Sequence, residues 1–470
     1  MRPDEGGRST VYGTRGVVAA EDPRAALAGI RMLDAGGNAA DACVAMAAVL
    51  AVVAPMMTGP GGDAFVQYFD ASTGTVRALE GAGAAGSLAD GREAPTRGPQ
   101  SITVPGAVRL WADAAEQLGR LPLATMLAPA RELAERGFSA GDVVARLWAE
   151  AEPVLAADPA AAAAFLPAPR RGELVRLPEL AHTLGALAEH GPEAFYAGEV
   201  AACIVETAAH LTLRDLAEHR SSWVEPLTVS YRGLTVHELP PPTTGTAVIS
   251  MLRELAEEDL GALGPLSAER IHLEATATRR AFAELFQRVA DPRPAGDTVY
   301  VCAIDEDGNG CSFINSLYES FGSGLVAPGT GVCLHNRGAR SRLEPGKRPL
   351  HTLIPGLVTE GGALWAVYGN MGGFMQPQGH VQVLVNLRDH GMSPQAAVEH
   401  PRHRYDAGTL LVEGRVPAAE VEKLRRWGHT VELGPPYARR TGGAQVVRML
   451  AGGVRAGGSD PRKDGCALAQ

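Results

Sequence analysis

The sequence predicts an α/β sandwich that continues as one unit across residue 298, and three observations lead to it. Strand-like and helical segments alternate on both sides of the link "DPRPAGD" (291–297) instead of segregating into halves. The run from Asn38 to Leu50 is small and apolar on every side, as a helix enclosed between other layers must be. Residues 299–304, Val-Tyr-Val-Cys-Ala-Ile, are apolar at odd and even positions alike, the pattern of a strand covered on both faces.

Each element has a local reason. Asp22-Pro23 reads as an N-cap with proline at the first helical position, and Leu27, Ile30 and Leu33 mark a helix that Gly36-Gly37 ends. Asn38 caps the next helix, and Gly59-Pro60-Gly61-Gly62 turns the chain into a hairpin built on Ala71-Ser72-Thr73-Gly74. Without a following Gly-Lys-Ser/Thr, that turn reads as tight packing and not as a phosphate cradle. From Val108 to Ala217 the pattern is helical, broken at glycines and prolines. "PLTVSYRGLTVHELPPPTTG" alternates as a hairpin, helices return from Thr244 to Arg288, and the strand from Thr298 follows. Asp305 to Asn309 turn it into a second strand from Cys311. "ALWAVYG" and "TLLVEG" are later strands, with helices in "PQGHVQVLVNLRDHG" and "PAAEVEKLRRWG".

Composition excludes several classes. Hydrophobic residues at 46% and charged residues at 20% are ordinary for a globular chain, so disorder is not indicated. A net charge of −10, with a pI near 5.8 and no basic stripe, argues against a nucleic-acid partner. The six cysteines are scattered without a C-x-x-C pair, and they read as small apolar residues. No signal-peptide core opens the chain, and the longest apolar run, Ala42 to Ala54, is too short to span a bilayer. A cytoplasmic protein without a membrane partner is expected. His400-Pro401-Arg402-His403 has H-x-x-H spacing, but Pro401 disfavours the helix that would align both imidazoles, so no metal is expected there. "GVRAGGSDPRKDG" reads as a charged, structural glycine-rich turn.

Thr298 poses the functional question. Threonine is common at strand ends, and it is also a nucleophile if the chain before it is cut away. Spacing alone leaves both open. Further segments bear on the question: "GGNAADACVAMAAVLAVVAPMMTGPGGDAF", "YRGLTVHELPPPTTG", "DTVYVCAIDEDGNG", "FGSGLVAPGTGV", "PGKRPLHTLIPGL", "GNMGGFMQPQGH" and "SDPRKDG" among them, from about residue 16 to 466. Together, and in this order, they resemble the γ-glutamyltransferase family of N-terminal-nucleophile hydrolases. The wording looks most like the bacterial branch with oxamate amidohydrolase and acylase-like members.

That resemblance implies a four-layer αββα sandwich and autocatalytic cleavage at Asp297-Thr298. Residues 1–297 would form a large chain and 298–470 a small one, both parts of one domain. It places the nucleophile on Thr298, whose freed α-amine, titrating near neutrality, would serve as base. Gly372 and Gly373 match the oxyanion-hole glycines, and Ser316 matches a hydroxyl residue beside the nucleophile. His351 and Thr352 stand where the family has two substrate-holding serines, and Tyr318 falls among the expected substrate contacts. No cofactor is implied. The partners implied are a small-molecule substrate, the two chains of one precursor and a possible homo-oligomer.

Two departures shape the expected substrate. Glutathione-cleaving members hold the glutamyl carboxylate with an arginine where this chain has Ala82 and Ala84, and the amino group with an acid in the segment "HNRGARSR". Here that segment supplies Arg337 and Arg340, which would repel an ammonium and pair with a carboxylate on another acyl group; a solvated basic loop is the alternative. The expected substrate is an amide of a small anionic acyl group, oxalyl being the simplest. The alternative activity is C–C hydrolysis of an oxalyl-like group in actinobacterial biosynthesis of alkylproline-type antibiotics. The second departure is the short link, only Arg293 to Asp297, before the nucleophile. A ligand- or partner-binding chain that never matures is the rival it leaves.

Overall fold

The computed structural model describes residues 7–287 and 297–470. The short link on which the non-maturing alternative rests lies, except for Asp297, outside the described residues. The strands of the two main sheets are, in chain order, β1 (Val11–Gly13), β2 (Val17–Ala20), β3 (Asp63–Asp70), β4 (Thr75–Glu80), β5 (Ser222–Val224), β6 (Leu227–Tyr231), β7 (Leu234–Glu238), β8 (Asp297–Ile304), β9 (Gly310–Tyr318), β10 (Gly356–Glu360), β11 (Ala363–Asn370), β12 (Ala444–Met449), β13 (Arg455–Ser459) and β14 (Cys466–Ala469). One sheet runs β1-β13-β12-β11-β10-β7-β6 and the other β14-β2-β8-β9-β3-β4-β5. Neighbours in both sheets are antiparallel. Strands from both sides of residue 298 interleave in each sheet, as the alternation in the sequence predicts.

The layers follow from which side chains each strand turns outward. Val299, Val301 and Ala303 of β8 pack with helices α1 (Pro23–Asp34) and α2 (Ala39–Val53) on the outer face of their sheet. Tyr300, Cys302 and Ile304 point the other way and meet Leu357, Val367 and Val447 of the facing sheet. Three helices, α3 (Gly245–Leu255), α4 (Ala268–Gln287) and α5 (Met375–Arg388), cover that second sheet's outer face through Val248, Phe282 and Leu384. The result is the expected αββα stack, and β8 is buried on both faces because it is central to it.

Local signals hold where they are chemical. Asp22 accepts from the Arg24 N–H at 2.8 Å and caps α1. Asn38 and Asp41 form a reciprocal capping box at the start of α2, whose residues are all buried. The buried face of α1, by contrast, is Ala25, Ala26, Ala28, Gly29 and Met32, while Leu27 is exposed. The closely approaching α2 leaves room only for small side chains there. The six cysteines are unpaired, as predicted. Among the described residues, no helix is long and apolar enough to cross a membrane.

A satellite sheet of His403–Asp406, Thr409–Glu413 and Thr430–Gly434 lies outside the sandwich. His403 is in its first strand, whereas His400 follows a helix that ends at Glu399. The two imidazoles therefore do not share a helix face, and among the described residues no group of three metal-ligating side chains is assembled.

Candidate active site

β8 and β9 pair with an irregularity at the position the sequence singles out. Asp297 lies opposite Tyr318 and Val299 opposite Asn315, so Thr298 faces two residues, Ser316 and Leu317. Such a bulge re-aims side chains and interrupts the ladder. The Leu317 N–H turns away to Met57 O at 3.0 Å. Ser316 Oγ lies 3.1 Å from Thr298 Oγ1 and accepts from the Tyr318 N–H at 2.8 Å. Thr298 is 1% exposed. Tyr318 sits in the left-handed region at φ 78°, a conformation that costs a bulky residue about 1–3 kcal/mol and is tolerated where surrounding contacts over-determine it.

The next strand brings a carboxylate to the same place. Asp63 opens β3 directly opposite Ser316, and Gly62 allows the approach, since a Cβ there would lie 2.4 Å from Ser316 O. The Asp63 carboxylate is 3.1 Å from His335 Nδ1 and 3.2 Å from His351 Nε2, all three side chains being fully buried. Its other oxygen accepts from the N–H groups of Gly83 and Gly106. Burial disfavours the carboxylate, but the two imidazoles outweigh this and hold Asp63 well below the usual carboxylate range. Burial, with Arg337 adding, pushes His351 down to about 3, so it is neutral at physiological pH. Its ring packs on Phe65 at 4.9 Å. Thr352 is buried beside it, and its Oγ1 lacks a hydrogen-bond partner.

Arg337 is not on a solvated loop: it is 3% exposed, with its guanidinium 4.2 Å above the Tyr318 ring. Its Nε and Nη2 have no hydrogen-bond partner, and among the described residues no carboxylate lies within ion-pair reach. Burial lowers its pKa. Taking a guanidinium out of water without a paired acid is costly. Arg340 does not join it. Its Nε donates to Thr96 Oγ1 at 3.0 Å and its side chain is partly exposed.

Gly372 and Gly373 lead into α5 with φ +107° and +60°. Their carbonyls accept from the N–H groups of Met375 and Gln376, while their own N–H groups donate to no backbone carbonyl among the described residues. The positive end of α5 adds to these donors. Asn370 Nδ2 fixes the loop by donating to the carbonyls of Met371 and Met375. Thr298 and Gly372 both line one cavity of about 910 Å³. Gly373 is adjacent but does not line it.

Lys463 and Arg462, at the end of the segment "GVRAGGSDPRKDG", also line this cavity, and Arg455–Ser459 of that segment is a strand and not a turn. Arg462 is structural, with its guanidinium paired to Glu413 and Asp460. Lys463 Nζ is 3.1 Å from Glu21, and Glu21 accepts from the Tyr300 N–H, two residues beyond Thr298. Sequence reasoning also missed Asp63 and His335. The one signal for Asp63 was a charged residue immediately before the apolar run Ala64-Phe65-Val66.

The extent of kinship decides the family: a model of gamma-glutamyltranspeptidase matches residues 25–295 and 287–470. The chain belongs to the gamma-glutamyltranspeptidase family. The glutathione hydrolase-like YwrD proenzyme of Bacillus subtilis is 36% identical, covering 98% of this chain and 99% of its own length. The oxamate amidohydrolase proenzyme of Klebsiella pneumoniae is 33% identical over 98% of this chain and 99% of its own. The crystal structure of cephalosporin acylase from Bacillus halodurans superposes with a TM-score of 0.90 at 34% identity, over 100% of this chain and 98% of that one. Membership of the gamma-glutamyltranspeptidase family makes this chain an enzyme of the N-terminal-nucleophile hydrolase type.

Proposed function

We propose that the chain is a precursor cleaved between Asp297 and Thr298, and that the matured enzyme hydrolyses, or transfers the acyl group from, an amide whose acyl part is small and anionic. The observation that carries the substrate reading is Arg337, buried against Tyr318 at the Thr298 bulge with no acid within ion-pair reach among the described residues. In this mechanism Thr298 Oγ1 attacks the amide carbonyl while the freed α-amine takes its proton. Ser316 Oγ holds the attacking hydroxyl in place, and Gly372 and Gly373 donate their N–H groups to the developing oxyanion. The C–N bond breaks, the leaving nitrogen takes the proton, and water or an amine then releases the acyl group from Thr298.

Arg337 and neutral His351 are buried, and Asp63, the carboxylate in contact with His351, is already engaged by His335 and backbone N–H groups. Among the described residues these two side chains bring no free carboxylate to an ammonium, which disfavours γ-glutamyl donors. An oxalyl group fits the same charge pattern. A carbon-linked oxalyl group, of the kind an alkylproline-type biosynthetic route would present, offers the same carboxylate, and product analysis on matched nitrogen- and carbon-linked substrates separates the two reactions. The direct test is release of ammonia from oxamate by the purified protein, against release of nitroaniline from a γ-glutamyl nitroanilide. Faster turnover of oxamate supports the reading. Turnover of the glutamyl anilide alone refutes it.

A further inference from the structure

The edge of β8 that faces β2 loses its partner strand before it reaches Thr298. The two strands pair with Cys302 opposite Ala19, and that register carried on would set Tyr300 opposite Glu21 and Thr298 opposite Pro23. The ladder stops short of this because β2 ends at Ala20 and Pro23 starts α1. Glu21 takes over with its side chain, whose carboxylate accepts from the Tyr300 N–H at 3.0 Å. N–H groups two residues apart leave a strand by the same edge. The Thr298 nitrogen therefore faces this edge too, about 7 Å along the strand from that of Tyr300.

Lys463 reaches the same edge from the far end of the chain. β14 pairs β2 with Cys466 opposite Ala20, and Gly465, where a Cβ would lie 2.0 Å from Ala20 O, lets the segment before β14 run close to the end of β2. The Lys463 side chain is buried, with Nζ 3.1 Å from Glu21 and 3.7 Å from Met57 Sδ. Gly443 makes room for its stem, since a Cβ there would lie 2.8 Å from Lys463 Cγ. Other charges around this end of β8 are engaged elsewhere. Asp22 pairs with Arg24, Asp63 with His335 and His351, Arg462 with Glu413 and Asp460, and Arg97 with Glu319. Asp464 accepts from the Val143 N–H, and Arg337 is stacked on Tyr318. A buried lysine and a buried glutamate thus share one edge with the Thr298 nitrogen, and Lys463 lines the cavity that Thr298 lines.

We infer that Glu21 and Lys463 are positioning residues for the α-amine of Thr298, the carboxylate holding its N–H groups toward the β2 edge and the lysine ammonium balancing that carboxylate's charge. The inference rests on the reading of Thr298 as the freed nucleophile. In the attack the Oγ1 proton passes to the α-amine as the Oγ1–C bond forms, and then from the α-ammonium to the leaving nitrogen as the C–N bond breaks. The amine must be neutral at the start of each turnover. A carboxylate alone at this edge would hold it as ammonium, and a lysine alone would repel the proton it has to accept. Together the two charges leave it to titrate at about 7.7–8.0, the ordinary range of an α-amine.

The test is competitive acetylation of the Thr298 α-amine with trace acetic anhydride as a function of pH, read by mass on the peptide that begins at Thr298. It is run on the purified protein, Lys463→Met, Glu21→Gln and the double variant. Lys463→Met is expected to raise the midpoint by about one pH unit, because Glu21 alone favours the ammonium, and Glu21→Gln to lower it by about one unit. The double variant returns toward the unmodified protein. Shifts of the same sign, or no shift in either single variant, overturn the inference, since a pair that only holds the fold together does not move the midpoint in opposite senses. Where one single variant fails to fold, the direction of the other decides. No substrate is added, so the result is independent of oxamate turnover. A chain that never exposes an amine at Thr298 refutes the reading of the nucleophile and this inference with it, whereas a cleaved chain without opposed shifts refutes the inference alone.

Discussion

Replacing Arg337 by methionine sets function against stability. The guanidinium is buried, stacked on Tyr318 and without an acid partner among the described residues, and burial already weakens its hold on the proton. Removing it relieves a desolvated charge, and exchanging buried charges for apolar groups of similar volume is often neutral or stabilising by about 1–4 kcal/mol. The lost stacking on Tyr318 offsets about 0.5–2 kcal/mol of that. The net effect is a melting temperature unchanged or raised by a few degrees. Activity moves the other way. A buried charge pair that loses one partner costs about 2–5 kcal/mol, or roughly 30-fold to several-thousand-fold in kcat/KM for oxamate. The neutral diamide oxamide, which lacks the carboxylate, provides the control, and its turnover is expected to change little. Melting curves and initial rates on the two substrates read all three quantities. A marked fall in melting temperature with oxamate kinetics intact would show that Arg337 is a structural prop and that the anion reading is wrong.

Other perturbations act on separate parts of the site. Ser316→Ala removes contacts to Thr298 Oγ1 and the Tyr318 N–H; it is expected to cost about 1–2 kcal/mol in a denaturant titration and about tenfold in kcat, and an unchanged kcat would remove Ser316 from the mechanism. Gly372→Ala places an L residue at φ +107° with its Cβ 3.3 Å from Gly442 Cα, and the displaced donor is expected to lower kcat by about 10²–10³ with the circular dichroism spectrum retained; near-normal kcat would contradict the oxyanion assignment. Acid should destabilise the fold early, because burial pushes His351, His400 and His403 down to about 3 and His219 and His237 to about 4. Below the unfolded pKa near 6.5 the unfolded chain takes up these protons and the native one does not, so each such histidine removes about 1.4 kcal/mol per pH unit. Asp63, held low, acts in the same sense at lower pH still. Melting temperatures that stay flat from pH 7 to 5 would refute this.

The fold was legible because its signals are local. The unbroken apolarity of Ala39–Val53 and of the β8 residues on both faces requires layers on either side, and the caps at Asp22 and Asn38 are read from residue types alone. The site was legible only in part. Thr298 and Gly372 lie on segments whose wording carries the family resemblance, and Ser316 falls between two of them. Asp63 and His335 come from positions far apart in the chain, and pairing of β3 with β9 sets Asp63 opposite Ser316; Arg404 and Lys463 reach the cavity from two further segments. Arg337 shows the limit from the other side. Its charge was plain in the sequence, but its burial without an acid depends on Tyr318 beneath it and on Asp63 being already engaged by two histidines.

The central claim is that Thr298 becomes a nucleophile by being freed at its amino end. Intact mass and N-terminal sequencing of the purified protein, beside Thr298→Ala, test it most directly. The account predicts two chains of about 31 and 18 kDa, the shares of the 49.0 kDa chain on either side of the cut. The smaller begins Thr-Val-Tyr, and the alanine variant stays whole. A single chain of unchanged mass after long incubation, or a Thr298→Ala protein that still cuts at this bond, would contradict it.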